Sequence, residues 1–400
     1  MKTLIELFDT CQLNNIVAGL AFKPEKIIFV GYKKVMNNRR TSALKNFFAA
    51  KGIDAEISFE VVGRYDYEYI VNKLSEIIDS NEDCCFDLTG GKELILTAMG
   101  EISATKKVPM LQFDLHSGNL VRIKNCADIS DPPKSVMRIE ESVALNGGGV
   151  IKSRDSFEWN LDESFRHDLE IMWRISTRNV RLWNRQTTVF GNFEELYDDI
   201  SSLRISVDLE ELQKRKEDIF INTDLIDELK AEGLIVEYIQ KGNIVTLRYK
   251  NEQVKRCLSK AGNILELYAY MLLNEIESEE KGFYDHIAMG VIVDWDGEID
   301  NRAETRNEID LMLMRDIIPV FISCKNGEVH KEALYELQTM AEHFGGEYAK
   351  KILLTSYMTN DADSREYIIK RARDMGIEII DGVDKLGRRD FKDILYKKVR

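Results

Sequence analysis

The sequence has 400 residues and a mass of 46.2 kDa, which is too long for one compact domain and suits two or three. Hydrophobic residues make up 44% and charged residues 31%, a composition that excludes a disordered chain. The net charge of −14 argues against a protein that coats nucleic acid through bulk positive charge, but it is compatible with an enzyme that holds metal ions in carboxylate sites.

Short apolar runs and helical periods alternate through the first 145 residues. This alternation is typical of an α/β domain in which helices cover both faces of a parallel sheet. The predicted strands are Thr3–Phe8, Lys26–Val30, Ala55–Val62, Cys84–Leu88 and Pro109–Asp114, and the predicted helices between them are Arg39–Lys51, Tyr67–Asp79 and Glu93–Ala104.

Polar loops follow four of these strands, at residues 9–15, 31–33, 63–66 and 89–92. Ligands of parallel sheets bind at the carboxyl ends of the strands, so we expect a ligand at this edge. In the turn Thr89-Gly90-Gly91-Lys92, two glycines allow close approach and the next helix presents free amides to an anion. The turn matches neither the Walker loop nor G-x-G-x-x-G, so a tight turn without a ligand is an equally good interpretation.

The middle of the chain contains an arginine-rich helix and a wing-like hairpin. Boundary residues Asp131-Pro132-Pro133 and Asn146-Gly147-Gly148-Gly149 precede a predicted helix at 165–188, which is followed by a helix at 224–232 and a hairpin at 234–249. The hairpin indicates a winged-helix-like module. Four arginines spaced by four, three and four share one helix face, where they either bind phosphates or pair with acids elsewhere: Arg174, Arg178, Arg181 and Arg185.

The last 140 residues carry acids and a lysine at strand ends. A helix at 262–275 contains Glu266, a strand at 287–295 ends at Asp294, and strands at 308–314 and 317–325 precede a helix at 331–344 with Gln338 and a strand at 351–355. Side chains two apart on a strand share a face, so Glu308 pairs with Asp310 and Ser323 with Lys325. Structural salt bridging is one interpretation. A metal site is the better one, because acids and a lysine are costly to bury in a core.

The sequence predicts no zinc site, disulfide framework, signal peptide or membrane helix. Its six cysteines form no C-x-x-C pair and its five histidines are scattered, so neither a zinc site nor a disulfide framework is predicted. The first ten residues include Glu6 and no long apolar core, and no apolar run reaches the roughly 18 residues that a membrane helix needs. We therefore expect a cytoplasmic protein without a signal peptide or a membrane partner.

The arrangement Glu266, Asp310 and Ser323-Cys324-Lys325 resembles the PD-(D/E)xK restriction-endonuclease-like core. The resemblance implies a metal-dependent endonuclease that uses Mg²⁺ or Mn²⁺, in which Lys325 orients or activates the attacking water. Ser323 stands where the family has a Glu, so Glu266 or Glu308 would supply the missing carboxylate. The implied catalytic residues are Lys325, Asp310, Glu308, Glu266 and Ser323, and the implied metal ligands are Glu266, Asp294, Asp310 and the carbonyl of Cys324.

The segment Phe86-Asp87-Leu88-Thr89-Gly90-Gly91-Lys92, with the turn at 9–15, is similar to CRISPR-associated Rossmann-fold (CARF) domains. Together the two ends resemble the CARF-domain nucleases of type III CRISPR antiviral defence. The resemblance implies a homodimer that binds a cyclic oligoadenylate, most often cyclic tetra-adenylate, and then cleaves DNA or RNA. The implied ligand contacts are Thr10, Asn14, Asn15, Gly31, Arg64, Tyr65, Thr89, Gly90, Gly91 and Lys92.

We therefore expect a CARF-like sensor at 1–145, a helical and winged-helix-like connector at 150–258 and a nuclease domain at 259–400. Two alternatives stay open. One is an unregulated restriction-like endonuclease, which would cleave without a cyclic nucleotide. The other is a nucleotide-sensing winged-helix transcription regulator, in which Asp310 and Lys325 would be dispensable.

Overall fold

The computed structural model describes residues 1–151, 157–196, 202–216, 219–297 and 306–400. Contacts divide the chain into two units. The first contains Met1–Lys152, Tyr284–Phe321 and Thr339–Lys350, and the second contains Ser153–Phe283, Ile322–Gln338 and Lys351–Arg400. Each unit combines three separate stretches of chain, so the domain boundaries at 145, 150 and 258 stay predictions.

The N-terminal residues form the predicted parallel sheet. Its strands follow the order β3-β2-β1-β4-β5-β6, with β6 antiparallel to β5 and the other pairs parallel. The strands are β1 (Thr3–Leu7), β2 (Lys26–Gly31), β3 (Glu56–Val61), β4 (Cys84–Asp87), β5 (Met110–Asp114) and β6 (Asn119–Lys124), and the helices are α1 (Val17–Phe22), α2 (Asn38–Ala50), α3 (Tyr67–Asp79) and α4 (Glu93–Lys106).

One face of this sheet packs against α3 and α4 because apolar residues recur at the strand and helix periods. Ile5 and Leu7 of β1 share a buried cluster with Leu74 of α3 and Met99 of α4. Asp66 ends the loop after β3 and caps α3 by accepting a hydrogen bond from the Tyr69 amide at 3.0 Å. The loops after the strands are therefore held at the edge where a ligand was predicted.

The middle residues contain the predicted wing. Strands β8, β10 and β9 form an antiparallel sheet in that order, and α9 precedes the β9–β10 hairpin. The predicted arginine helix is two helices, since Asn179 interrupts it and caps the second by accepting from the Leu182 amide at 3.0 Å. The elements are α5 (Ile139–Leu145), β7 (Gly149–Val150), α6 (Glu163–Arg178), α7 (Val180–Glu195), β8 (Arg204–Asp208), α8 (Leu209–Arg215), α9 (Thr223–Ala231), β9 (Ile235–Lys241), β10 (Ile244–Tyr249) and α10 (Glu252–Ser259).

The C-terminal residues follow the predicted order of one helix, three strands, a helix and a strand, and then continue with α13, β15 and α14. Six described strands form a mixed sheet in the order β15-β14-β13-β12-β11-β7. The elements are α11 (Asn263–Glu279), β11 (His286–Asp294), β12 (Arg306–Arg315), β13 (Ile318–Lys325), α12 (Lys331–Gly345), β14 (Lys350–Thr355), α13 (Ala362–Asp374), β15 (Ile377–Asp381) and α14 (Arg388–Val399).

Candidate functional site

The loop after β1 is locked onto the loop after β4 by the carboxylate of Asp9. One oxygen, Oδ2, accepts from the Gly91 amide at 2.8 Å, and the other, Oδ1, accepts from the Cys11 amide at 2.8 Å. The Asn15 side chain closes the turn, since its Oδ1 accepts from the Asp9 amide at 2.7 Å and its Nδ2 donates to the Asp9 carbonyl at 3.0 Å. The protein's own carboxylate thus occupies an amide that the sequence offers to a phosphate.

The three polar residues predicted after β1 lie in different environments. Thr10 is exposed, whereas Asn14 and Asn15 are buried. Asn15 donates to the Gln12 side chain at 2.7 Å, and the Asn14 side chain packs against Gly90. Of the three, only Thr10 is placed for direct contact with a ligand at the surface, while the two asparagines hold the loop from within.

Thr89 is also an internal residue. It is buried, and Asp87 Oδ1 accepts from its amide at 3.0 Å and from its hydroxyl at 2.6 Å. The hydroxyl in turn accepts from the Phe113 amide at 2.7 Å, which joins β4 to β5. The prediction that the amides of the turn at 89–92 are free for phosphates is therefore wrong for Thr89 and Gly91, because carboxylates of the same chain already bind them.

An open cleft of about 440 Å³ lies at the carboxyl edge of the sheet and is lined by three cations, two tyrosines and one acid, Glu93. Arg64, Tyr65 and Lys92 were predicted there, whereas Tyr32 and Lys34 were missed. The Tyr65 side chain is 84% exposed, and the Arg64 guanidinium lies 5.5 Å from its ring centroid. Tyr32 could have been predicted as a cleft residue, because it lies in the polar loop Gly31-Tyr32-Lys33 that follows the second strand.

Two of the predicted glycines line a small cavity beside this cleft. Gly31 and Gly91 line a narrow cavity next to the cleft together with Thr10 and Lys92. Burial, and then the charge of Glu93, raise the pKa of Tyr32, so its phenol stays protonated and can donate a hydrogen bond. The structure therefore brings Thr10, Gly31, Gly91 and Lys92 to one edge of the sheet.

Two buried acids lie beneath this edge. Glu6 of β1 and Asp87 of β4 are paired in register on adjacent strands. Burial, reinforced by the charge of Asp87, raises the pKa of Glu6 well above its usual value. Burial raises the pKa of Asp87 to about 7, against the opposing effect of the hydrogen bonds from Thr89. The folded state therefore favours protonated carboxyls at this position.

Replacing Asp87 with asparagine is expected to stabilise the protein at alkaline pH. The raised pKa means that the folded state holds a proton that the unfolded state loses near pH 4, so the free energy of unfolding falls as the pH rises towards 7. The amide keeps an acceptor for Thr89 but carries no charge. We expect D87N to gain about 1–4 kcal/mol at pH 8 relative to wild type and little at pH 5 in urea unfolding.

The matched control is D114N. Asp114 is half-buried, and its pKa is lowered by hydrogen bonds from Ser117 and the His116 amide, so removing its charge gives no gain at pH 8. Equal pH dependence in wild type and D87N would contradict the assignment of a buried proton to Asp87.

The second candidate site lies on the C-terminal sheet. On β12, Glu308 is exposed and Asp310 half-buried, while Ile309 and Leu311 between and beyond them are buried. This is the predicted division of β12 into a polar and an apolar face.

Strand β13 shows the same alternation and neighbours β12 in the sheet. Ser323 and Lys325 are half-buried, whereas Ile322 and Cys324 are buried. The thiol of Cys324 therefore belongs to the apolar side, and only its backbone carbonyl stays a candidate ligand. Acids on one strand and a lysine on the next are the donor types that nuclease chemistry uses.

Asp294 does not belong to this group. It is fully buried at the end of β11, where its Oδ1 accepts from the Asp296 amide at 3.1 Å. In the β11–β12 register Asp294 lies opposite Arg306, four residues before Asp310, so their backbones are about 14 Å apart along the strand. Because two short carboxylates do not span this distance, the β11–β12 register does not support Asp294 and Asp310 as ligands of one ion.

Glu266 lies in the first turn of α11 and is buried. Its Oε1 is 3.0 Å from the position a Cβ would take on Gly262. The preceding Ala261 carbonyl accepts from Asn326 Nδ2 at 3.2 Å, which ties the start of α11 to the residue after Lys325. The structure thus brings the beginning of the Glu266 helix to the end of the Lys325 strand, as the resemblance implies.

No preformed metal cluster exists in the part of the chain that the structure describes, since no group of three or more His, Cys, Asp or Glu side chains is arranged to hold an ion. The predicted set of Glu266, Asp294, Asp310 and Cys324 is therefore not gathered as such. Gln338 accepts from Lys351 Nζ at 2.8 Å, a contact that stabilises packing.

The arginine row divides into two pairs. Arg174 pairs with Glu232 at 2.5 Å, and Arg178 pairs with Glu228 next to helix α9. These two arginines follow the connector interpretation. Arg181 lies over the ring of Tyr357, with its Cζ 5.2 Å from the centroid, and Arg185 lies over Phe220 at 4.2 Å. The helix break at Asn179 separates Arg174 and Arg178 from Arg181 and Arg185.

Along the described chain, a Rossmann-like parallel sheet thus precedes a mixed sheet whose strands carry acids and a lysine. Residues 251–400 match the family model described as the Card1-like endonuclease domain. This match makes the C-terminal part an endonuclease domain and confirms the prediction of a nuclease. No curated protein sequence matches the chain significantly.

Two solved structures share the fold over nearly the whole chain. Can2 from Sulfobacillus thermosulfidooxidans, in complex with cyclic tetra-adenylate, has a TM-score of 0.69 and 16% identity, and the match covers 100% of this chain and 97% of Can2. Protein VC1899 from Vibrio cholerae has a TM-score of 0.73 and 16% identity, with 99% and 97% covered. Both similarities show the fold, and they confirm the predicted α/β architecture. None of the described helices is long and apolar enough to cross a bilayer.

Proposed function

We propose that the protein is a nuclease of type III CRISPR defence that a cyclic oligoadenylate, in the first place cyclic tetra-adenylate, activates. The observation that supports this proposal is the cleft of Tyr32, Lys34, Arg64, Tyr65 and Lys92 at the carboxyl edge of the first sheet. It occurs in a chain whose C-terminal residues match an endonuclease family.

The cleft has the chemistry that an oligonucleotide ring requires. Lys34, Arg64 and Lys92 supply positive charge for phosphates, and the exposed ring of Tyr65 offers a face for an adenine. Because the amides of Thr89 and Gly91 bind Asp87 and Asp9, phosphate recognition falls to these side chains instead. A ring of four identical nucleotides is two-fold symmetric, so a C2 homodimer presents the same cleft to each half.

The proposed reaction is hydrolysis of a phosphodiester bond. Asp310 and Glu308 on the polar face of β12 would hold Mg²⁺ or Mn²⁺, with the Cys324 carbonyl as a further ligand, and oxygen donors of this kind suit both ions. When bound, the ion acidifies a water molecule and offsets the charge that develops on the phosphate. Lys325 places its ammonium group near the attacking water and the transition-state oxygens, and Ser323 donates a hydrogen bond on the same face.

A cleavage assay tests the proposal. Plasmid, single-stranded DNA and single-stranded RNA are incubated with the protein and Mn²⁺, with and without cyclic tetra-adenylate. We expect the ligand to raise the rate for at least one substrate by roughly tenfold or more. Equal cleavage without the ligand would favour an unregulated endonuclease, and sequence-specific duplex binding without cleavage would favour a transcription regulator.

A further inference from the structure

Asn326, the residue directly after Lys325, is a buried amide whose side-chain polar atoms are bonded to three different elements. Its Nδ2 donates to Asn184 Oδ1 at 3.1 Å and to the Ala261 carbonyl at 3.2 Å, and its Oδ1 accepts from the Ser356 hydroxyl. The side chain is 8% exposed. A buried amide with this many partners fixes its own backbone, because breaking any one bond leaves a polar atom unsatisfied.

The backbone around Lys325 is held from the same side. The Lys325 carbonyl accepts from the Gly327 amide at 2.8 Å and from the Ser356 amide at 3.3 Å. The Thr355 hydroxyl donates to the Gly327 carbonyl at 3.1 Å. Thr355 and Ser356, at the end of β14, therefore hold the backbone at the end of β13 in place.

The remaining support comes from connector helix α7. Asn184 Nδ2 donates to the Asn326 carbonyl while its Oδ1 accepts from the Asn326 side chain, so the two residues form a reciprocal pair. The Asn184 amide also lies 3.3 Å from the position a Cβ would take on Gly327. One turn earlier on α7, Arg181 Nε donates to the Tyr357 hydroxyl at 3.4 Å.

We propose that Asn184 and Asn326 are positioning residues, through which helix α7 sets the place of Lys325. The inference rests on the proposed function, since it takes Lys325 as the lysine of the reaction. A lysine has four rotatable side-chain bonds, so its ammonium group is placed reproducibly only if its backbone is fixed. A displacement of about 1 Å at a reacting group costs roughly 10²-fold in rate. Helix α7 thereby acquires a role in positioning the lysine of the reaction.

The test compares Asn184→Leu with Asn192→Leu in the full-length protein with Mn²⁺ and cyclic tetra-adenylate. Leucine has the same branched side-chain skeleton as asparagine, with two methyl groups in place of the amide oxygen and nitrogen, and it removes both bonds to Asn326. Asn192 lies on the same helix and lines a separate surface cleft. For Asn184→Leu we expect kcat to fall about 10- to 100-fold with KM unchanged, and for the control we expect no change. A kcat within twofold of wild type, or a raised KM at unchanged kcat, would overturn the proposal.

Hydrogen exchange gives a readout that does not depend on cleavage. In Asn184→Leu the amide of Gly327 is expected to exchange roughly tenfold faster than in wild type, and in Asn192→Leu it is expected to stay unchanged. If wild type cleaves nothing but this exchange increases, the proposed function fails and the positioning pair stands. Unchanged exchange overturns the pair whatever the activity.

A second variant covers the case in which Asn184→Leu does not fold. Ser356→Ala removes a single bond to the Asn326 side chain at a buried position where the smaller residue fits. It is expected to shift exchange and kcat in the same direction by a smaller factor. A Ser356→Ala protein that folds with neither change overturns the proposal.

Discussion

Replacing Lys325 with alanine is expected to lower the ligand-activated cleavage rate by at least about 10³-fold. Lys325 is the half-buried cation at the end of β13, and β12 next to it carries Glu308 and Asp310 on its polar face. Lys325 is the one cationic residue of β13, so its removal leaves this strand without a positive charge to offset the charge that develops on the phosphate. The measurement is a single-turnover rate with saturating cyclic tetra-adenylate and Mn²⁺.

Two accompanying measurements make the Lys325→Ala result specific. The affinity for cyclic tetra-adenylate is expected to stay unchanged, because the proposed ligand cleft is built from residues 32–94. The matched variant Lys331→Ala removes an exposed lysine from the first turn of the following helix and is expected to cleave at nearly the wild-type rate. Cleavage by Lys325→Ala within tenfold of wild type would remove this lysine from the mechanism.

The polar faces of β12 and β13 could be predicted because the period of a strand is fixed. Any two residues that are two apart share a face, so the sequence alone places Glu308 with Asp310 and Ser323 with Lys325. The parallel sheet was predictable for a similar reason, since alternating strands and helices have few ways to pack. Edge strand β6 was missed because its residues are mostly exposed and show no apolar alternation.

The position of Asp294 could not be predicted, because it depends on strand register. β11 keeps one register along β12 from His286 to Asp294, and this register places Asp294 opposite Arg306. Sequence shows that β11 ends in an acid but not how far along β12 that end lies. The separation of Asp294 from Asp310 follows from this register.

The sequence also could not predict that carboxylates of the same chain bind the Thr89 and Gly91 amides. Asp9 is 82 residues from Gly91, and only the pairing of β1 with β4 brings them together. The row of four arginines failed for a local reason, because Asn179 caps a new helix and changes the direction of the face that Arg181 and Arg185 present. The periodic pattern of a helix predicts a shared face only while the helix continues.

Replacing Gly91 with alanine is expected to weaken the binding of cyclic tetra-adenylate by about 100-fold or more, the scale of about 3 kcal/mol. Gly91 has a φ of +100°, which an L-residue with a side chain rarely adopts. A Cβ there would lie 2.1 Å from Leu7 Cδ1 and 2.6 Å from Leu7 Cβ. Leu7 is buried in the sheet core and cannot withdraw, so the loop must move away from the strand.

Movement of this loop would change the ligand cleft in two ways. The Gly91 amide would leave the Asp9 carboxylate, which frees the β1 loop with Thr10, and the neighbouring Lys92 would leave its place at the mouth of the cleft. Binding is measured by calorimetry, with Gly52→Ala as the control. Gly52 also has a positive φ, of +67°, but nothing lies within 4 Å of a Cβ there, so that variant carries the backbone strain without the clash. Equal affinities for the Gly91→Ala and Gly52→Ala proteins would mean that the turn after β4 does not shape the ligand site, and ligand binding would then rest on Lys34, Arg64 and Tyr65.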